Sequence, residues 1–253
     1  MRNIKLTLQY DGTNFSGFEL QPKQRTVRGE LEKALFNLFK KKIKVIGVSR
    51  TDAKVHALDQ VVNFHFDGTI KLKQIPAALN SCLPYEIRIL TAEEVASDYN
   101  SRYMAKSKKY EYLIFNGDQR PPALLNIVWH VKPKLNLSAM QKAAKILQGK
   151  HNFKSFCAAH SDDKDFVKEL FRISIRQRKV KIWDGCEFRV MSFEFVGNGF
   201  LYKMVRNIVG TLVEVGLGKL SLTEVKKILK AQDRNQAGRT APGQGLCLVK
   251  VNY

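Results

Sequence analysis

Ser49-Arg50-Thr51-Asp52-Ala53-Lys54-Val55-His56-Ala57 is a polar stretch set between two apolar ones. Before it, Ile43-Lys44-Val45-Ile46-Gly47-Val48 alternates; after it comes Val61-Val62-Asn63-Phe64-His65-Phe66. The pattern predicts two strands joined by a short loop that gathers one carboxylate, Asp52, among Arg50, Lys54 and His56. Arg50 and Asp52 are two apart, so on extended chain they point to the same side. An arginine beside a buried carboxylate favours its ionised form. An ionised carboxylate in a dry cleft is a nucleophile or a general base. Spacing alone gives more weight to a structural ion pair closing the turn, because charged pairs in loops are common.

Outward from that loop the periods alternate between strand and helix. Ile4, Leu6, Leu8 and Tyr10 alternate with polar residues, a half-buried strand that Asp11-Gly12-Thr13-Asn14 ends. Thr26 is the expected N-cap of a helix carrying Val27, Leu31, Ala34, Leu35 and Leu38 on one face. Thr91 with Glu94 reads as a capping box for a short helix over 92–96, and Ser138 with Gln141 as another for a helix running to Gly149. Strands are expected at 110–115, 128–131, 173–175, 180–183 and 188–196, the last two joined by a hairpin at Asp184-Gly185. Leu201, Met204, Val205, Ile208, Val209 and Leu212 mark the most regular helix. Ser221 and Glu224 cap the next one, and a strand from Leu246 to Val251 closes the chain. The order predicts an α+β fold of two similar halves sharing a sheet. The boundary is drawn between residues 1–104 and 105–253.

Bulk properties narrow the function. Lys and Arg number 43 against 23 acidic residues, a net charge of +20 over 253 residues. Such an excess repels itself unless a polyanion offsets it, which makes nucleic acid the expected partner. The cations are dispersed along the chain rather than collected in a tail, as on a broad basic face; a merely solvated lysine-rich surface is the alternative. No apolar run is long enough for a membrane span, and the first residues lack a signal peptide's apolar core, so a soluble cytoplasmic protein is expected. The four cysteines lie far apart with no C-x-x-C pair, and the five histidines form no metal-binding spacing. Asp162-Asp163 with Asp165 reads as a solvated loop. Neither Gly197-Asn198-Gly199 nor Gly243-Gln244-Gly245 fits a phosphate-binding glycine loop.

The loop resembles the R-T-D-x-G-V-H-A signature of the TruA-type tRNA pseudouridine synthases. The likeness continues in order along nearly the whole chain. It takes in Tyr10-Asp11-Gly12-Thr13 with Phe15 and Gly17, then Arg25-Thr26-Val27 with Leu31-Glu32 and Ala34-Leu35. It continues through Arg102 with Lys108 to Tyr112, Gly197 to Gly210, and Thr240-Ala241-Pro242 with Gly245-Leu246. The resemblance implies isomerisation of uridine to pseudouridine at positions 38–40, in the anticodon stem-loop of tRNA, with no cofactor and no metal. It implies that Asp52 is the nucleophile and that Arg50 positions or flips the nucleotide. Tyr110 would pack on the base and aid proton removal, and Arg206 would pair with Asp52. Lys54, Arg102, Lys108 and Lys109 fall among substrate-binding positions. It further implies two similar α/β subdomains sharing a central, mostly antiparallel sheet, with an active-site cleft between them, and a homodimer.

A uracil inside a stem must be unstacked and swung out, at a cost of a few kcal/mol that stacking and phosphate contacts repay. Two departures stand out. Ser49 and Lys54 occupy usual glycine positions, the second suited to positive φ, and Phe18-Glu19 replaces a frequent Trp-Gln. Two rival readings share the basic surface: an RNA chaperone without turnover, and a metal-dependent nuclease using Asp11, Asp52 and Asp162. For Tyr110 and Tyr112 the residues alone favour core packing of at least one ring, and His56 reads as a hydrogen-bonded structural histidine.

Overall fold

β1 (Arg2–Tyr10) buries Ile4, Leu6, Leu8 and Tyr10 while Lys5, Thr7 and Gln9 stay half-exposed, the alternation its sequence dictates. The structure, a computed structural model, describes every residue but His160, Asp162 and Gly185, and every side chain but those and Ile182 and Trp183. The chain forms two units: Met1–Lys106 together with Cys247–Tyr253, and Ser107–Leu246. A single cut at 104/105 therefore misses the last strand, which belongs with the first unit.

In the first unit, α1 (Val27–Phe39) starts at Thr26, whose hydroxyl accepts from the Gly29 N–H, and buries Val27, Leu31, Ala34 and Leu35. β2 (Ile46–Gly47) is far shorter than the expected 43–48, and β3 (His56–Phe66) starts well before Val61. β3 pairs antiparallel with β1 and β2 and parallel with the C-terminal strand (Leu246–Asn252). Being central, it is buried on both faces from Asp59 to Phe64. α2 (Ile75–Asn80) has no counterpart among the expected elements. The helix expected at 92–96 is absent: the segment is part of β4 (Ile87–Val95), antiparallel to β1. Glu93 and Glu94 serve there as cross-strand partners of Lys5 and Arg2, each 3.0 Å away. Pairing along a whole strand outweighs one local capping signal. α3 (Ser101–Met104) is a single turn capped by Asn100.

In the second unit the strand order is β5 (Ser107–Asn116), β9, β8, β7, with β6 (Trp129–Val131) parallel to β5. Here β7 is Gly149–Asn152, β8 Val167–Trp183 and β9 Cys186–Gly197. β8 unites the two strands expected at 173–175 and 180–183, because β9 offers it a continuous antiparallel partner. β8 and β9 pair out to Trp183 and Cys186, and the turn expected at Asp184-Gly185 includes Gly185, which lies outside the described residues. α4 (Leu137–Leu147) is capped by Asn136, whose side chain accepts from Ala139 N–H; Ser138 lies inside the helix. α5 (Met204–Gly216) is buried almost all round, and α6 (Leu222–Ala231) has the expected Ser221–Glu224 capping box. α4 packs on β8, α5 and α6. Among the described residues no helix is long and apolar enough to cross a membrane.

Candidate active site

The loop carrying Asp52 is gripped along its backbone by two segments of the first unit. From β3, the fully buried Gln60 donates its amide to Ser49 O at 2.8 Å. From β1 and the turn after it, Tyr10 OH shares a hydrogen bond of 2.7 Å with Thr51 Oγ1. Phe18 N–H donates to Thr51 O at 3.0 Å, and Lys54 N–H donates to Phe15 O at 3.1 Å. Gly17 has φ +110°, and a Cβ there would lie 2.8 Å from Thr51 O, so the turn can close on the loop only without a side chain. Gly12 N–H donates to His56 Nδ1 at 3.1 Å, which fixes the ring as a structural element.

Lys54 has φ +65°, the left-handed conformation expected where a glycine usually stands. Val55 N–H closes the turn onto Asp52 O at 3.1 Å. Asp52 itself is half-buried, whereas Arg50 and Lys54 are exposed. Arg50 Nε meets Glu19 Oε2 at 3.3 Å, and Glu19 also pairs with Arg28. The second departure therefore has a physical consequence: the acidic residue at position 19 holds the guanidinium that follows Ser49.

Arg102 lies on α3 in this unit, exposed, with its guanidinium 5.9 Å from the centroid of the Tyr103 ring.

The remaining expected residues lie in the second unit. Tyr110 is buried on β5 and meets Phe200 edge-on, ring centroids 5.0 Å apart. Tyr112 is the core tyrosine of the pair: it is fully buried and its hydroxyl donates to Pro242 O at 2.8 Å. Burial pushes its phenol far above the ordinary range, against the charges of Arg206 and Arg239. Lys108 stands half-buried opposite Gly197. Lys109 Nζ binds Glu194 Oε2 at 2.6 Å. Burial drives the Glu194 carboxyl up, but the Lys109 bond and the charges of Lys109, Arg172 and Arg176 outweigh it and hold it below the carboxylate range.

Arg206 is half-buried on α5 and donates through Nε to Ala241 O at 2.7 Å, while Ala241 N–H returns a bond to Arg206 O at 3.1 Å. Gly210, one turn on, makes that contact possible, since a Cβ would overlap Arg239 O. Asn207 completes the clamp. Fully buried, it donates to Phe156 O at 2.8 Å and accepts from Thr240 at 2.7 Å and Arg234 at 3.0 Å. Burial pulls the Arg234 guanidinium down from its usual range. Asn207 falls within the Gly197–Gly210 stretch without a role of its own in the sequence reading, though a lone amide inside an apolar helix is a signal for it; Arg234 has none.

Among the described residues no three His, Cys, Asp or Glu side chains cluster as metal ligands. Asp11, one of the carboxylates of the nuclease reading, is engaged by Thr13 N–H at 2.9 Å in its own turn, and Asp162 lies outside the described residues.

A braced loop offering one carboxylate, on a basic α+β chain, has the makings of an RNA-modifying enzyme site. The sequence model of the tRNA pseudouridine synthases matches residues 7–104 and 143–253, and the chain belongs to that family, a family of isomerases. Arg50, Asp52, Lys54, Arg102 and Arg206 fall inside the matched residues; Lys108, Lys109 and Tyr110 fall in the interval between them. Curated relatives named tRNA pseudouridine synthase A match end to end. The one from Acetivibrio thermocellus is 43% identical over 254 residues, covering 100% of both chains. That from Ruminiclostridium cellulolyticum is 42% identical over 253 residues, again with 100% of both covered. That from Halalkalibacterium halodurans is 45% identical over 254 residues, 100% of this chain and 93% of the other. The solved Cbf5-Nop10-Gar1 complex overlays at a TM-score of 0.34 and 11% identity, over 96% of this chain and 57% of that one, below the level that implies a shared fold.

Proposed function

We propose that this chain converts uridine to pseudouridine in the anticodon stem-loop of tRNA, with Asp52 as nucleophile and without a cofactor. The observation that carries the reading is the Asp52 loop, its main chain held by the backbones of Phe15 and Phe18 and by the side-chain amide of Gln60, inside a signature that matches the family. Holding the loop through its backbone fixes where the carboxylate sits, as a reacting group requires.

The reaction balances without any external reactant. Asp52 attacks the flipped nucleotide, and the bond between C1′ and N1 breaks. The freed uracil turns and rejoins C1′ through C5, and the bond that Asp52 formed to the nucleotide breaks, which returns the carboxylate. N1 gains a proton and C5 loses one, so the product is an isomer. Tyr110 packs on the base and assists removal of the C5 proton; its burial beside Phe200 suits a ring meant to hold another ring. Arg206 pairs with Asp52, a role that rests on the motif match alone. Arg50 positions the everted nucleotide. Lys54, Arg102, Lys108 and Lys109 meet the phosphate backbone, in keeping with the net charge of +20. The motif resemblance also supports a homodimer, and a basic chain acting on tRNA suits the cytoplasm.

An unmodified tRNA transcript incubated with the protein and EDTA tests the reading. Pseudouridine in the anticodon stem-loop is expected. Magnesium-dependent strand cleavage would favour the nuclease, and binding without conversion the chaperone.

A further inference from the structure

Two buried asparagines do something a surface connection does not ordinarily require. Asn3 and Asn63, almost fully buried, are bonded to each other at 3.0 Å. Their remaining groups go to the backbone of 96–101. Asn3 Nδ2 donates to Ala96 O and Tyr99 O, each at 2.9 Å. Asn63 Nδ2 donates to Tyr99 O at 3.2 Å, and its Oδ1 accepts from Ser101 N–H at 2.9 Å. Ser101 Oγ donates to Ile46 O at 2.8 Å, and Tyr253 OH donates to Ser101 O at 3.1 Å. Burying amides is costly unless every group is bonded, and here those bonds end on one short stretch of main chain.

What that stretch presents is exposed. Tyr103 is 79% exposed and Met104 44%, beside the exposed cations Arg102 and Lys106. The Arg102 guanidinium lies near the Tyr103 ring. A large ring left in water on a rigidly tied turn, with cations on its flank, suits a ligand having both a π-face and negative charge. A second copy of this chain, itself carrying +20, fits that flank poorly.

We propose that Tyr103 is a stacking platform for an unpaired nucleobase of the substrate RNA, with Arg102 binding an adjacent phosphate, and that Asn3 and Asn63 are the positioning residues that hold this turn. The proposal rests on the reading of the chain as an RNA-modifying enzyme, and it is tested by binding, so that loss of turnover and loss of the platform are told apart.

The experiment titrates an unmodified tRNA anticodon stem-loop, and a blunt duplex of the same stem, into wild type, Tyr103→Ala, Tyr103→Phe and Arg102→Gln over a range of salt. Tyr103→Ala should weaken stem-loop binding roughly 5- to 100-fold and leave the salt slope unchanged. Its duplex binding should match wild type, and Tyr103→Phe should behave as wild type on both. Arg102→Gln should reduce the salt slope by about one. All variants should melt with wild type, because the altered side chains lie outside the core. Wild-type stem-loop affinity in Tyr103→Ala overturns the proposal. So does equal damage in Tyr103→Phe, or a change of oligomeric state in Tyr103→Ala, which would mark a contact between copies. Because the readout is affinity, a protein that binds but makes no pseudouridine still decides the question.

Discussion

Gln60 donates its side-chain amide to the main-chain oxygen of Ser49, 2.8 Å away and three residues before Asp52. The bond ties the central strand of the first unit to the start of the loop, so the loop's origin is as fixed as the sheet.

Replacing that donor should loosen the loop more than the fold. Gln60→Leu keeps most of the volume but leaves the Ser49 carbonyl without its buried donor, a loss of about 1–3 kcal/mol. Because small misplacements of a reacting group are costly, kcat should fall about 10-fold or more with little change in tRNA affinity. Steady-state kinetics beside a thermal melt checks this; a parallel fall in affinity would place the effect elsewhere.

Glu19 acts on the other flank. It holds Arg50 at 3.3 Å and also pairs with Arg28, which keeps Glu32 at 2.7 Å when Glu19 is neutralised. Glu19→Gln should release Arg50 and remove a negative charge facing the polyanion. Affinity for tRNA should tighten roughly 2- to 5-fold at low salt and converge with wild type at high salt. Stability should fall by about 1 kcal/mol, because Arg50 is exposed and the part-buried Arg28 keeps its bond to Glu32. Equilibrium titration at two ionic strengths reads both effects.

Acid should loosen the turn that braces the loop. Glu86 is hydrogen-bonded by Arg25 at 3.0 Å, and its main-chain oxygen accepts from Asp11 N–H at 2.9 Å. The Arg25 bond, then its own N–H, hold the Glu86 carboxyl down to about 2. The unfolded carboxyl titrates near 4.3. The folded state therefore binds this proton less readily. The stabilisation is complete above the unfolded value and drains away as pH falls from about 5 to about 2. Glu86→Gln should melt lower at neutral pH and show a flatter acid limb, measured by melting temperature against pH.

Much of this was legible in the chain itself, and the exceptions share a cause. Ile4 to Tyr10, the Thr26 cap and the Ser221–Glu224 box act within a few residues, so local pattern decides them. Lys54 at positive φ was legible because glycine usually stands there. Thr91–Glu94 misled because Lys5 and Arg2, distant in sequence, lie across the strand from Glu93 and Glu94. β3 hid its early start because exposed Leu58 and buried Asp59 and Gln60 reverse the apolar-in, polar-out pattern that marks a strand. Gln60, Asn63 and Asn207 carry little local signal as positioning residues: each is a polar side chain in an apolar run whose partners lie far away in sequence.

The central claim is that one carboxylate, on Asp52, starts the reaction. The direct measurement is pseudouridine formation in a single tRNA transcript by wild type and Asp52→Asn, with tRNA affinity measured for both. The account predicts that Asp52→Asn binds tRNA within about twofold of wild type and makes no detectable pseudouridine, a loss confined to the chemical step. Conversion by Asp52→Asn at a rate near that of wild type would contradict it.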